Sequence, residues 1–293
     1  MPRTATARSA STHVTPQRWT AVRAAVEEYG ERFAALVESV SAPDASRPAT
    51  EHWSAAVTAA HVTAVAWNYA ALSGGEELPG PELSRHMATT TVGNLGTVMN
   101  PVQLRNFPER DPKRLAELLR SSVRRWLAHT ADADPTAVGD WLGGSQLPLA
   151  GTFAHMMNEL HIHGRDIARG IGAPWHIPDD QAALFFDLFV VEMCRNGTGI
   201  LLDGDHPARR GRIAVEFRSE FTEPAAIVLT DGTVTAEEPR GDADVRIKFR
   251  PAALNLMLFH RVGVARTALS GSVVVTGRRP WLLPAFLRTV RMP

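Results

Sequence analysis

The stretch HMMNELHIHGRD, residues 155–166, gathers three histidines, a glutamate and an aspartate within twelve positions. Imidazoles beside a carboxylate can hold a divalent cation, pass protons as general acids and bases, or simply form a solvated helix face. The backbone decides which groups meet. On a strand, His161 and His163 would share a side with Glu159. On a helix, His155, Glu159 and His163 line up one turn apart, with Asp166 three residues further on.

The flanking residues favour the helix. Phe153, Met157, Leu160, Gly164, Ile167 and Ile171 recur at spacings of three and four. Thr152 or Gly151 is placed to cap the start, and Gly170, Gly172 and Pro174 mark the end. A helix over about 150–171 follows, with His155, Glu159 and His163 beside its apolar face and His161 pointing elsewhere. Glu159 and His163 give a cation two ligands, so a third must come from another element. His61 is the best candidate. It sits among Val57, Ala60, Ala64 and Val65 in a second helical run, where small residues suit a helix–helix contact. An imidazole buried there without a partner costs about 1–3 kcal/mol. Either a cation or a hydrogen bond must offset that cost, and spacing alone leaves both open. His155 is in the same position: a further ligand, a hydrogen-bond partner of a ligand, or a solvated residue.

Helical periodicity spans the first two thirds of the chain. Trp19, Val22, Val26, Phe33, Leu36 and Val40 mark a helix from Pro16 to about Val40. A second runs from about Trp53 to Leu72. A third candidate between Pro81 and Asn106 is interrupted by Gly93, Gly96 and Pro101. DPKRLAELLRSSVRRWLAHT is a strong helix, with Asp111 as cap and Pro112 in the first turn. A loop precedes the histidine helix, and DDQAALFFDLFVVEMCR follows it as another helix. The character then changes. RIAVEF and ADVRIKF alternate as strands do, and Asp231-Gly232 lies between two β-prone runs as a hairpin turn. PAALNLMLFHRVG and PWLLPAFLRTV read as helices around a further strand in LSGSVVVTG. Helices come first and a smaller α+β unit second.

Composition narrows the function. The chain has 293 residues and 44% hydrophobic content, enough for two ordinary domains with a sizeable core. Lys plus Arg and Asp plus Glu number 31 each, so there is no general attraction to nucleic acid or to an anionic membrane. No apolar run reaches the roughly 20 residues that span a bilayer. The single cysteine, Cys194, sits in an apolar run and reads as a small buried hydrophobe. One cysteine forms no intramolecular disulfide, which fits a reducing cytoplasm. The polar N-terminus lacks an apolar signal core and reads as a disordered tail over 1–15.

Two segments carry a resemblance. AAHVTAVAWN, with Ala60-His61, and NELHIHGRDIARGIGAPW, with Glu159, His163, Gly164, Asp166, Ile167 and Ala168, resemble the mycothiol-dependent maleylpyruvate isomerase family. That family lies within the DinB-like metal-binding four-helix bundles. DADVRIKFRPAALNLML and ALSGSVVVTG are similar to the sterol-carrier-protein-like domain that follows in the family. The resemblance implies a DinB-like bundle over 16–200 and a sterol-carrier-like α+β domain over 208–293. It implies that His61, Glu159 and His163 hold a divalent metal, zinc, with one position open for water or a thiol. Asp166 would accept a hydrogen bond from a ligand imidazole, and His155 would stand in the same supporting layer. It implies a low-molecular-weight thiol, mycothiol, as cosubstrate, and isomerisation or thiol transfer on a small electrophilic substrate such as maleylpyruvate. An acidic substrate needs a basic anchor, for which Arg85 is a candidate without motif support. The partners implied are the small-molecule substrate and the thiol, in a cytoplasmic monomer or homodimer. The family's Gly-Trp-(Thr/Ser) turn is replaced here by Glu51-His52-Trp53-Ser54, which puts the substrate in question. Two other readings stand beside this one: a secondary-metabolite enzyme on the same scaffold, and a non-catalytic protein that binds a small molecule or lipid in its α+β domain.

Overall fold

The computed structural model describes residues 13–204 and 209–291; the expected tail over 1–15 falls mostly outside these residues. In chain order the helical part comprises α1 (Pro16–Glu38), a short α2 (Ala42–Ala45), α3 (Ala55–Ser73), α4 (Pro81–Ala88), α5 (Asn100–Asn106) and α6 (Pro112–His129). A small hairpin of β1 (Val138–Asp140) and β2 (Gln146–Pro148) leads into α7 (Leu149–Ile171). Then α8 (Asp179–Leu184) runs through a π-helical segment, Phe185–Val191, into α9 (Glu192–Asn196). None of the described helices is long and apolar enough to cross a membrane.

Helices α1, α6, α3 and α7 close a four-helix bundle in which each packs on two neighbours. Its ends are set locally. Thr15, Ser54 and Asp111 accept hydrogen bonds from the backbone N–H groups of Arg18, Val57 and Arg114, which satisfies donors that a helix start leaves unpaired. Helix α3 is unusual in being apolar nearly all round, with Ala55, Ala59, Ala60, Val62, Ala66 and Ala70 buried. Small side chains let α6 and α7 approach it closely, and that is what brings His61 toward α7.

Helix α7 begins at Leu149, earlier than the expected cap at Gly151 or Thr152. Strand β2 hands over directly through Pro148, and the Thr152 hydroxyl donates to the Leu149 carbonyl inside the first turn. The stretch expected to be a plain loop therefore contains the β1–β2 hairpin. The third expected helix is broken into α4, a π turn at Leu95–Met99 and α5, with Gly93 and Gly96 in the break.

The C-terminal region is a five-stranded sheet in the order β5-β4-β3-β6-β7. Its strands are β3 (Arg212–Arg218), β4 (Ala225–Thr230), β5 (Thr233–Glu237), β6 (Val245–Phe249) and β7 (Val273–Thr276). Helices α10 (Pro251–Leu258), α11 (Val264–Leu269) and α12 (Leu283–Leu287) complete it. The hairpin expected at Asp231-Gly232 is present, with both residues at positive φ (49° and 86°) as a tight type I′ turn requires. Strand β3 is buried on both faces: Ile213, Val215 and Phe217 join the main core, while Glu216 on the other face is covered by Arg218 and Arg246. One apolar core runs unbroken from the bundle into the sheet. The join is the α8–α9 segment, where Phe185 stacks on Phe189 while Phe186 meets Phe217 and Phe249 of the sheet.

One glycine on α7 marks a close approach. A Cβ built on Gly164 would clash with the six-membered ring of Trp175. That ring is held: its Nε1 donates to the His161 carbonyl at 3.0 Å, and Tyr29 and Phe33 meet it edge-on. Gly164→Ala is therefore expected to lower stability by about 1–3 kcal/mol as an overpacked substitution, read as a shift in the denaturant midpoint. An unchanged midpoint would show that Trp175 moves freely.

Candidate metal centre

Helices α3 and α7 bring three of the expected residues to one point. His61 Nε2 lies 3.1 Å from Glu159 Oε2, and His163 Nε2 lies 3.5 Å from the same oxygen. One ligand atom from each of His61, Glu159 and His163 falls within 4.8 Å of the others. Ligands on a tetrahedral cation at about 2.0–2.1 Å are separated by edges of about 3.3 Å. The two contacts to Glu159 Oε2 bracket that value.

The protonation pattern bears on whether a cation fits. Asp166 Oδ2 stands 3.2 Å from His163 Nδ1. A carboxylate accepts, so Nδ1 carries the proton and a neutral His163 turns the lone pair of Nε2 toward Glu159. Two acceptors then face one another, an arrangement that calls for a proton or a cation between them. His61 Nδ1 is buried with no hydrogen-bond partner among the described residues, so its polar contact is on the Nε2 side. Two imidazoles and a carboxylate are a donor set suited to zinc, and the residues present fit a cation of that kind.

A second network holds the other oxygen of Glu159. His155 Nε2 approaches Glu159 Oε1 at 3.4 Å. The Trp141 Nε1–H donates to the Tyr69 hydroxyl at 3.0 Å, and that hydroxyl lies 3.0 Å from His155 Nδ1. A carboxylate only accepts, so the His155 proton facing Glu159 sits on Nε2, and in the neutral ring Nδ1 then accepts from the Tyr69 hydroxyl, which itself accepts from the indole. His155 thus faces the carboxylate and not the point shared by the other three.

Burial and charge act together here. Burial alone would raise the Glu159 carboxyl, but the His61 hydrogen bond and the charge that His155, His163 and His61 carry when protonated outweigh it and hold the group well below the usual carboxylate range. Burial lowers the His155 imidazole, with Glu159 opposing and the other two histidines reinforcing. Burial pushes the Tyr69 phenol well up, so it stays a neutral donor. For Asp166 burial again acts upward and is outweighed by hydrogen bonds from His163 and Arg261, leaving the group low.

Two residues lie apart, His161 as its place on the helix predicts and Arg85 against expectation. His161 is buried on a different face, with Nε2 3.2 Å from Gln181 Oε1 and its ring edge-on to Tyr29. Arg85 is exposed on α4, and no hydrogen bond or ion pair ties it to the centre. Residues that sequence reasoning passed over also line the site. Trp53 stands just before α3 with its ring 4.9 Å from His61 and 6.1 Å from His163. Tyr69 was within reach of a spacing argument, since positions 61, 65 and 69 share a face of α3. Trp141 and Arg261 come from a hairpin and a distant loop, and no local pattern points to them.

Residues 12–167 match the sequence signature of the DinB superfamily. No curated protein matches the chain. Its fold resembles two solved structures, the mycothiol-dependent maleylpyruvate isomerase and a single-residue mutant of it, with TM-scores of 0.50 and 0.51 and 17% identity. Each alignment covers 92% of this chain and 96% of the other, so the likeness of fold extends through the bundle and the sheet. With the signature spanning more than half its length, the chain belongs to the DinB superfamily.

Proposed function

We propose that this protein is a metal-dependent enzyme that uses a low-molecular-weight thiol, with zinc as the metal and mycothiol as the thiol, for isomerisation or thiol transfer on a small electrophilic substrate. The observation that carries the reading is the approach of His61 Nε2 and His163 Nε2 to Glu159 Oε2, at 3.1 and 3.5 Å, with one ligand atom of each residue within 4.8 Å of the others. The fold shared with the mycothiol-dependent maleylpyruvate isomerase supports it. On this reading residues 16–200 form the metal-binding unit and 208–293 the α+β unit. Reaction of maleylpyruvate with mycothiol is the first assay. Turnover that needs both the thiol and bound metal is the expected result; metal-loaded protein that leaves this substrate untouched would retire the isomerase reading and leave thiol transfer to be assayed with other electrophiles.

The bound cation would supply Lewis-acid chemistry, lowering the pKa of a thiol so that it reacts as thiolate. The protein's residues prepare that setting. His61, Glu159 and His163 would hold the cation. Asp166 keeps the proton on His163 Nδ1, and His155 occupies Glu159 Oε1. Trp53 sets an apolar ring beside the two imidazoles, tilted against both. In an isomerisation the thiolate sulfur bonds to one carbon of an activated double bond and the π pair moves onto the conjugated carbonyl. The remaining single bond rotates, and return of that pair expels the thiolate. No net oxidation occurs.

The thiol must come from outside the protein. Cys194 is the single cysteine, it is buried, and burial pushes its thiol up to about 12. Thiolate character governs cysteine reactivity. Native protein at pH 8 is therefore expected to resist alkylation at Cys194 until it is unfolded, and Cys194→Ala to retain thiol-dependent turnover. Rapid labelling of the folded protein would contradict this.

A second reading has one observation behind it. An apolar cavity of about 120 Å³ lies between the sheet and α10–α12, lined by Phe217, Ile247, Met257, Leu283 and Phe286. Small-molecule pockets run to roughly 300–1,000 Å³. The cavity is too small for a sterol or a full lipid chain, so ligand carriage is the secondary reading.

The metal reading is tested by elemental analysis. Purified protein is expected to hold close to one equivalent of a divalent metal. Removing one of the three ligands, as in His61→Ala or His163→Ala, is expected to cost at least the 10–100-fold in affinity typical of losing an outer partner. Metal content equal to wild type in both variants would refute the site.

A further inference from the structure

We infer that Arg261, contributed by the C-terminal region, is a positioning residue for the metal centre: it clamps Asp166, Asp166 sets the donor nitrogen of His163, and the α+β region thereby governs how well the bundle holds its cation. The inference rests on the metal reading above.

The chain of contacts is continuous. Arg261 approaches Asp166 in a forked manner, with Nε 3.1 Å from Oδ1 and Nη2 2.7 Å from Oδ2. The same Oδ2 faces His163 Nδ1 at 3.2 Å. Asp166 is 5% exposed, so water does little to hold its orientation. A carboxylate can rotate about its last bond, and one hydrogen bond to an imidazole does not stop it. The two-pronged guanidinium does, because planar bidentate pairing fixes the carboxylate plane. With the plane fixed, one oxygen always points at Nδ1, the proton stays there, and Nε2 presents its lone pair toward Glu159 and His61.

Arg261 is itself built into place. Helix α10 is docked on the bundle: the Asn255 amide, 2% exposed, donates to Asn158 Oδ1 of α7 and to the Ala182 carbonyl of α8, both at 3.3 Å. The chain then turns at His260, which has a left-handed φ of 59°. A non-glycine residue there is uncommon and is held by its surroundings. The Arg261 backbone N–H donates to the Leu256 carbonyl at 2.7 Å, and its Nη1 donates to the Phe259 carbonyl at 2.6 Å. The guanidinium is thus fixed from both ends before it meets Asp166. A surface arginine forming an incidental ion pair needs no such turn.

The test uses the full-length protein and three variants: Arg261→Ala, Arg261→Lys and Arg250→Ala. Arg250 also links the two regions, with Nε 3.0 Å from Asp179 Oδ2, but it is exposed and does not reach the centre. Zinc affinity is measured by competition with a chromophoric chelator, and the visible spectrum of the cobalt(II) form reports ligand geometry. Thermal midpoints of the metal-free proteins report folding. The expected result is a loss of zinc affinity of about tenfold or more in Arg261→Ala, with an altered cobalt spectrum. Arg261→Lys is expected to recover part of both, and Arg250→Ala to match wild type. Arg261→Ala with wild-type affinity and spectrum would overturn the inference while leaving the metal site intact. Equal weakening of Arg261→Ala and Arg250→Ala would also overturn it, since loosened docking would then explain the loss. Wild-type protein that takes up neither zinc nor cobalt would remove the metal reading itself.

Discussion

An ionised carboxylate inside a helix bundle has to be answered by positive charge or by hydrogen-bond donors, and Glu159 is that carboxylate here. Its side chain is surrounded by three imidazoles, with the Trp53 ring lying over two of them. Removing a charged group from water costs several kcal/mol even after relaxation. The surrounding layout follows from meeting that cost. Helix α3 is made of small residues so that His61 can come near. Helix α7 carries His155 and His163 one turn on either side of Glu159. The two oxygens of the carboxylate have separate duties, Oε1 toward His155 and Oε2 toward His61 and His163.

The groups that hold these side chains come from outside the bundle. Trp141, in the β1–β2 hairpin region, reaches Tyr69 and through it His155. Arg261 reaches Asp166 and through it His163. Each relay ends at a different side of the same centre, and each begins at an element whose position depends on tertiary packing. The bundle supplies Glu159 and the imidazoles around it, and the hairpin and the segment after α10 supply hydrogen-bond partners to that cluster. This division suits a site in which reactive groups sit on rigid helices and the fine aim is set by a surrounding layer.

Much of this was legible in the residues. The period of α7, the i, i+4 relation of Glu159 and His163, and the helical setting of His61 follow from spacing alone, because one helix face is a local property. The hairpin at Asp231-Gly232 was legible for the same reason. What escaped were contacts made across the fold. Arg261 follows the end of α10 and nothing nearby marks it as different from any other arginine. Trp53 precedes its helix, so no face rule applies to it. The span of α7 was legible to within a residue, but its cap was not: β2 runs straight into the helix, and Pro148 stands where a side-chain cap was expected. Strand β3 showed alternation, yet its polar face is buried too, since Arg218 and Arg246 fold over Glu216.

The π-helical segment at Phe185–Val191 bears on how the two halves could ever be parted. Its wide turn lets adjacent phenylalanines face opposite ways: Phe185 and Phe189 stack together, with Phe189 against Trp141 and His155, while Phe186 sits among the sheet's aromatic residues. One helix therefore belongs to both cores at once. Cutting the chain in the connector after it would strip the excised sheet of Phe186, and cutting before it would strip the bundle of Phe189. Neither half could be excised with its aromatic core whole unless the α8–α9 segment went with it or a new aromatic contact filled the side left bare.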